Sequence, residues 1–418
     1  MFNFVVPSIQ KGQAYPSLQQ YSAEPYTQSW REFGSHYPNT VPVELIAHCR
    51  LHNYPYTLTT ELELTNIVDN YKNNTDNKDN KPCAAADRLW YPIQWAWFNF
   101  NIDYFKLLPF TVIQAARLGI IRILFYYHEG DDPKRIKQRL DYTCRENNLS
   151  VNSFKLVTGN TAADSIQNCV HFNDHELLYF MRNKKVEKFF KTVALMRPKR
   201  FLLLSRTHKW WRATVVADLG RQGLLDCSLW SYNTEITIDD DYKHNPIEVD
   251  TLQLKDDLQA FISAGPYTCD SLTSAEHNDH SLHTAALYDD TYCSIILETH
   301  FDADGSGGAF LTEKTFKCLK HGHPFIIVGC AGSLAWLRSK GYRTFDHCID
   351  NSYDCIQDNT QRYLAVRNTI AQIARLSSLE MSEWLASCRA DLEHNSRLFL
   401  ASKWDRLNSL EERLNNGK

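Results

Sequence analysis

Cys293-Ser-Ile-Ile-Leu-Glu298, Phe310-Leu-Thr-Glu313-Lys314-Thr-Phe-Lys317 and His323-Pro-Phe-Ile-Ile-Val-Gly329 follow one another in the chain. A Gly-rich patch, Asp304-Gly-Ser-Gly-Gly308, lies between the first two, and Gly332-Ser-Leu-Ala-Trp-Leu337 follows the third. The apolar runs Ser294 to Leu297 and Phe325 to Val328 have the length and β-branching of buried parallel strands. Thr312 stands where an N-cap belongs, ahead of a helix that opens on Glu313 and Lys314. A strand, a glycine loop and a helix with a cation in its first turn together make a site for anions. Free N–H groups and the helix dipole favour phosphate there, and the lysine adds a mobile positive charge. In an open α/β sheet such a site lies at the carboxyl ends of the strands. The pattern predicts a nucleotide or nucleotide-sugar pocket.

Length and composition narrow the classes. With 418 residues the chain is long enough for two domains with separate cores. A hydrophobic content of 43% and an aromatic content of 12% belong to a folded globular protein. The net charge of −4 gives no broad attraction to nucleic acid or to an acidic membrane. Met1-Phe-Asn-Phe-Val-Val-Pro7 lacks the basic start and long apolar core of a signal peptide. Leu107 to Tyr127 is interrupted by Gln114, Arg117 and Arg122, so it reads as a helix and a buried strand, with no membrane span. The 12 cysteines, among them Cys49, Cys83, Cys144, Cys293, Cys318 and Cys388, are scattered singly, with no C-x-x-C pair and no zinc-type spacing. Several sit in apolar runs, where a thiol behaves as a small hydrophobe. A reduced, cytoplasmic chain is expected.

Outward from the 293–345 segment, residues 107 to 158 read as another α/β unit. Pro109 to Leu118 suits a helix that Gly119 ends, and Ile120 to Tyr127 suits a central strand. A helix over Lys134 to Asn147 and a strand near Phe154 to Val157 continue the βαβ rhythm. The polar run Asp69 to Asn80 reads as a surface loop. The aromatic block Trp90 to Phe100 reads as packed core, with a platform for stacking sugars or bases as the rival reading. Near residue 197 a new domain opens with the strand Phe201 to Leu204, followed by the basic loop Ser205-Arg-Thr-His-Lys-Trp-Trp-Arg212. Beyond Asp350 the chain is mostly helical.

Glu298, Phe310-Leu-Thr-Glu-Lys314 and the apolar strand after Gly322 resemble the donor-binding motif of the α-1,3-fucosyltransferases. That family carries Tyr where this chain has Phe310, and the Gly305-to-Gly308 insertion is foreign to it. The order Thr-Glu-Lys-Thr, Pro-Phe-Ile-Ile-Val-Gly, Gly-Ser-Leu, Thr-Phe-Asp is closer still to glycosyltransferase-type proteins of phages and viruses. The resemblance implies two Rossmann-like α/β domains facing a cleft, the GT-B arrangement, with C-terminal helices that fold back onto the first domain. Residues 1–197 would hold the acceptor and residues 198–418 the nucleotide-sugar donor.

Candidate site residues follow. Arg206 stands directly after a strand, where an always-charged fork suits a diphosphate leaving group. In the resemblance-based reading the Glu298 carboxylate accepts hydrogen bonds from a ribose or sugar hydroxyl; it could also pair with Lys314 or Arg206, and the two roles are not exclusive. Thr312, Glu313 and Lys314 complete the donor grip, and Gly332 and Ser333 add backbone N–H contacts. An inverting transfer needs a general base for the acceptor hydroxyl, and Glu129, just past the 120–127 strand, is the candidate, ahead of His128 and Asp87. Asp302-Ala-Asp304 mimics a metal–diphosphate motif, but fucosyltransferase-type donor sites bind without a metal, so no resident metal or cofactor is expected. His277, His280 and His283 read as a solvated loop. The expected activity is transfer of a sugar from a nucleotide-sugar donor to a hydroxyl acceptor, either a glycan or a hydroxylated nucleobase in DNA. A non-catalytic glycan- or nucleotide-binding module on the same fold is the alternative.

Overall fold

The computed structural model describes residues 1–6, 45, 49, 54–73, 89–95, 100–127, 129–177, 196–234, 245–269, 285–302, 307–401 and 404–415. The class is α/β, as expected: two parallel sheets lie in two compact units, Met1–Arg182 together with Ser402–Lys418, and Asn183–Ala401.

In the first unit six parallel strands run in the order β2-β1-β3-β4-β5-β6. They are β1 (Phe2–Val6), β2 (Tyr56–Thr60), β3 (Leu89–Trp95), β4 (Ile121–Tyr127), β5 (Phe154–Thr158) and β6 (Cys169–His171). Strand β4 is apolar on both faces. Ile121, Ile123, Phe125 and Tyr127 join one core with Val112, Ile136 and Leu140, while Leu124 and Tyr126 join the other with Phe4 and Trp90. Such a strand must be covered on both sides. Helices Phe110–Arg117 and Pro133–Glu146 supply residues to the first core. The second core is closed by the last helix, Trp404–Asn415, through the stripe Leu407, Leu410 and Leu414. Glu176 accepts from Arg406 at 2.6 Å, and Lys155 donates to the Arg413 carbonyl at 2.7 Å. Residues 402–418 therefore belong to the first unit, a correction to the 198–418 span, because their leucine stripe completes that unit's core.

One local reading changes, and the packed-core reading of the aromatic block holds for the residues described. The polar run from Asp69 begins as the end of helix Glu61–Asn73, held by the buried Leu64 and Val68 four residues apart. Trp90, Tyr91 and Ile93 of the aromatic block are core residues of β3. Pairing of β3 to β1 is confined to Phe4 and Trp90, two residues before Pro92, which has no N–H to offer.

The second unit has four parallel strands in the order β10-β9-β7-β8: β7 (Lys199–Ser205), β8 (Leu229–Tyr232), β9 (Thr291–Leu297) and β10 (Phe325–Val328). Every residue of β9 and β10 is buried, as continuous apolar runs demand. Because β7, β9 and β10 are adjacent and parallel, the residues that follow them, Arg206, Glu298 and Gly329, emerge at one edge. At the opposite edge His323 is locked between strands. Its Nε2–H donates to the Thr291 carbonyl at 2.7 Å, and its Nδ1 accepts from the Ser294 hydroxyl at 2.8 Å.

Burial pulls the His323 imidazole down to about 3 from its ordinary 6.5, and the charge on Arg197 pushes the same way. The unfolded chain takes up this proton as pH falls through about 6.5, and the folded protein does so only near 3. His323 should thus remove about 1.4 kcal/mol of stability per pH unit within that window. Urea unfolding at pH 7, 6 and 5 should show this slope in the wild type and lose it in His323→Gln.

Candidate functional site

Glu298 is the first residue past β9 and is fully buried. A carboxylate in that position costs several kcal/mol unless its lone pairs are filled. Here Oε1 accepts from the Thr315 hydroxyl at 2.6 Å and the Thr312 N–H at 3.2 Å, and Oε2 accepts from the Thr312 hydroxyl at 2.6 Å and the Thr299 N–H at 3.3 Å. Four protein donors occupy the group. The carboxylate expected to receive a ribose or sugar hydroxyl is instead taken up by the chain's own threonines, so Glu298 acts as a positioning residue. It pins the start of helix Glu313–His321 against the end of β9.

Thr312 holds the N-cap position of that helix, yet its hydroxyl makes no capping bond, because it donates to Glu298. The same oxygen accepts from Lys314 Nζ at 2.9 Å, so a chain runs Lys314–Thr312–Glu298. Lys314 Nζ also lies 3.3 Å from the Thr299 hydroxyl and 3.2 Å from Glu313 Oε1. Gly322 ends the helix in the left-handed region at φ 58, where glycine carries no steric penalty.

Two arginines approach from the β7 side. Arg212, in the first turn of helix Trp210–Arg221, is buried and donates Nε and Nη2 to the Glu298 carbonyl at 3.3 and 2.6 Å, and Nη1 to the Thr207 carbonyl at 3.2 Å. Burial pulls its guanidinium down to about 10, with the Glu298 charge opposing the shift. Arg206 is half-buried just past β7, and burial lowers its guanidinium too, opposed by the Glu313 carboxylate. Lys209 Nζ donates to the Thr299 carbonyl at 3.0 Å. Among the described residues, the cations Arg206, Lys209, Arg212 and Lys314 gather at this edge with the carboxylates Glu298 and Glu313. Such an edge suits a dianionic group. His208, expected to add to the basic loop, is buried, with Nδ1 2.7 Å from the Tyr232 hydroxyl, and is a packing residue.

The β10 end is built from backbone. A Cβ on Gly329 would lie 3.3 Å from Glu298 Cβ and 3.2 Å from Ile327 Cγ2, so a side chain there would press on the buried carboxylate. Arg362, which sequence reasoning did not single out, donates to the carbonyls of Gly329, Phe301, Ile356 and Gln357. The Gly332 N–H does not offer the expected donor contact. The Gly332 N–H is given to the Asp354 carbonyl at 2.8 Å, and the Asp354 carboxylate accepts from Leu334 N–H at 2.9 Å and Ala335 N–H at 2.8 Å. The chain's own carboxylate already fills that helix start, and the buried Ser333 hydroxyl donates to Cys330.

Arg206, Glu298, Thr312, Glu313 and Lys314 therefore form one group at the edge of the second unit. Glu129 stands in the first unit past β4, half-buried, its carbonyl accepting from Gly159 N–H at 3.2 Å and the Thr158 hydroxyl at 2.8 Å. Asp87, His128, His277, His280, His283 and Asp304 lie outside the described residues. Thr315 went unnoticed in the sequence, although its place three residues after Thr312 puts both hydroxyls on one side of a helix start.

No protein-family model and no curated protein matches the chain. Among solved structures it is similar to a UDP-forming α,α-trehalose-phosphate synthase from Burkholderia xenovorans, at 10% identity and a TM-score of 0.38, covering 100% of this chain and 99% of that one. It is also similar to the UDP-forming α,α-trehalose-phosphate synthase from Burkholderia vietnamiensis, at 9% identity and a TM-score of 0.39, covering 99% of each chain.

Thr315→Val keeps the shape of the site and deprives Oε1 of its shorter hydrogen bond. It should cost about 1–3 kcal/mol, the usual penalty for a buried acceptor left short of a donor. Denaturant unfolding of the variant beside the wild type measures it.

Proposed function

We propose that the second unit binds the diphosphate of a nucleotide sugar at the carboxyl ends of β7, β9 and β10, and that the protein transfers the sugar to a hydroxyl acceptor. The observation that carries this reading is the gathering of Arg206, Lys209, Arg212 and Lys314 around a helix start held by Glu298. Negative charge grows on a diphosphate as the glycosidic bond breaks, and fixed cations at that place lower the barrier. Arg206 and Lys314 are the groups we assign to the phosphates. Glu298 and Thr312 position them, and Glu313 tethers the lysine. These cations supply the charge that a divalent ion supplies in other donor sites, so the donor is assigned to the protein's own side chains.

Glu129 is assigned the role of base in an inverting transfer. It takes the proton of the acceptor hydroxyl as that oxygen bonds the anomeric carbon and the nucleoside diphosphate leaves. A glycan hydroxyl fits the acceptor role better than a hydroxylated nucleobase in DNA, because the net charge of −4 repels duplex. The non-catalytic alternative rested on an aromatic platform at residues 90–100, of which Trp90 and Tyr91 are buried in the core and 96–99 lie outside the described residues. The resemblance to fucosyltransferases and to phage and viral proteins is in keeping with this reading and leaves the sugar open.

Thermal unfolding against UDP, GDP, ADP, CMP and their sugar conjugates tests the donor site. A ligand at about a hundred times its dissociation constant adds about 2.7 kcal/mol, and Lys314→Ala and Arg206→Ala should each lose most of that shift. Absence of a response to every nucleotide overturns the proposal. Once a donor is known, Glu129→Gln should lower kcat about 10²- to 10⁴-fold while leaving nucleotide stabilisation unchanged.

A further inference from the structure

The second unit also brings together three side chains that no part of the proposed reaction uses. Cys348 and Cys388, 40 residues apart in sequence, have their sulfurs 3.3 Å from each other. One donor atom each from His347, Cys348 and Cys388 lies within 4.8 Å of the others. The Asp391 carboxylate completes the surroundings, with Oδ2 at 3.4 Å from His347 Nδ1 and Oδ1 at 3.0 Å from Arg343 Nη1.

We propose that His347, Cys348 and Cys388 bind a thiophilic divalent cation, zinc, with Asp391 orienting the histidine ring. Two thiolates and an imidazole are the donor set this ion prefers, and a carboxylate behind the imidazole is its usual support. Distances separate an ion from a disulfide. Sulfurs sharing a tetrahedral zinc at about 2.3 Å stand about 3.8 Å apart, so the pair need open by only about half an ångström. A disulfide, at about 2.05 Å, requires it to close by more than twice as much. A disulfide would also leave the third donor, His347, without a purpose. Cys388 is buried, Cys348 is half-buried and the His347 side chain is 45% exposed, which leaves an entry path from solvent.

The turn that presents two of the ligands is held in an uncommon conformation. Phe345 has φ 63, a left-handed backbone that a bulky residue rarely adopts. It is fixed there by edge contact with Phe325 at 5.3 Å, and its carbonyl accepts from Cys348 N–H at 3.0 Å. Cys388 begins helix Arg389–Leu400, which packs on the Glu313–His321 helix through Phe316 and Phe399 at 6.4 Å. The ion would tie the 345–348 turn to the start of the helix that braces the Lys314-bearing helix, a structural role separate from sugar transfer.

Metal analysis of the full chain, purified under reducing conditions without chelator and then titrated with zinc chloride, tests the assignment. About one zinc per chain is expected, with at least ten-fold weaker zinc binding in His347→Ala and loss of binding in Cys348→Ser; far-UV circular dichroism shows whether each variant folds. Zinc retained at wild-type affinity in both folded variants overturns the site, as does a reduced wild type that takes up none. A Cys348–Cys388 disulfide found by mass spectrometry in a metal-free native protein overturns it in favour of a redox pair. Should Cys348→Ser not fold, His347→Ala decides alone, since its ring is largely at the surface.

Discussion

Everything at the edge of the second sheet depends on one buried charge. Glu298 leaves water entirely at the end of β9, and among the described residues no cation touches its carboxylate; threonine hydroxyls and backbone N–H groups hold it. Neutral donors are directional, so they fix the group's geometry more tightly than a lone ammonium would. The residue is held twice, since its carbonyl receives two bonds from Arg212. Side chain and main chain of one residue thus join three elements: β9, the start of helix Glu313–His321 and the start of helix Trp210–Arg221. Gly329 belongs to the same constraint, because a Cβ there would stand only 3.3 Å from Glu298 Cβ and press on its methylenes.

The cations around this anchor divide by what they hold. Arg212 and Arg362 direct their guanidinium groups at carbonyls, so their charge stays buried at the site while their donors are engaged by the fold. Lys314 is different. It reaches Thr312, Thr299 and Glu313 with a flexible stem at a half-buried position. A phosphate approaching that ammonium exchanges contacts to neutral hydroxyls for an ion pair, while Glu313 keeps hold of the same group. Charge already in place before a ligand arrives needs no reorganisation when the leaving group develops its own.

The sequence made the second sheet's centre legible because β9 and β10 are continuous apolar runs, and a parallel strand buried on both faces can be little else. Four of the six strands of the first sheet were hidden, β2 among them. Strand β1 has only five residues, β6 has three, and β3 carries a proline among aromatics, which breaks every strand pattern except the ladder it forms with β4. Arg206, Glu298, Thr312, Glu313 and Lys314 do lie together at one edge, while what each of them holds depends on partners that spacing does not reveal. Glu298 looked like a ligand because the two threonines that occupy it lie 14 and 17 residues further on. Gly332 and Ser333 looked available because Asp354, whose carboxylate occupies that helix start, follows some twenty residues later in an unremarked turn. The cysteines read as scattered singly, since a separation of 40 residues matches no ligand spacing.

The placement of Lys314 shows how these partners combine. The first turn of its helix is set by a carboxylate bonded to Thr312 and Thr315, and the helix body is set by packing against Arg389–Leu400. Hydrogen bonds to a buried acceptor resist rotation of the helix about its axis, because turning moves both hydroxyls off the same carboxylate. Packing of Phe316 on Phe399 resists translation along it, because interiors are close-packed and a slide opens voids. The two restraints act on different motions, so together they define the lysine's stem where either alone would not. The definition of the Lys314 stem is thus achieved with threonines and a phenylalanine pair beside the ion pair to Glu313.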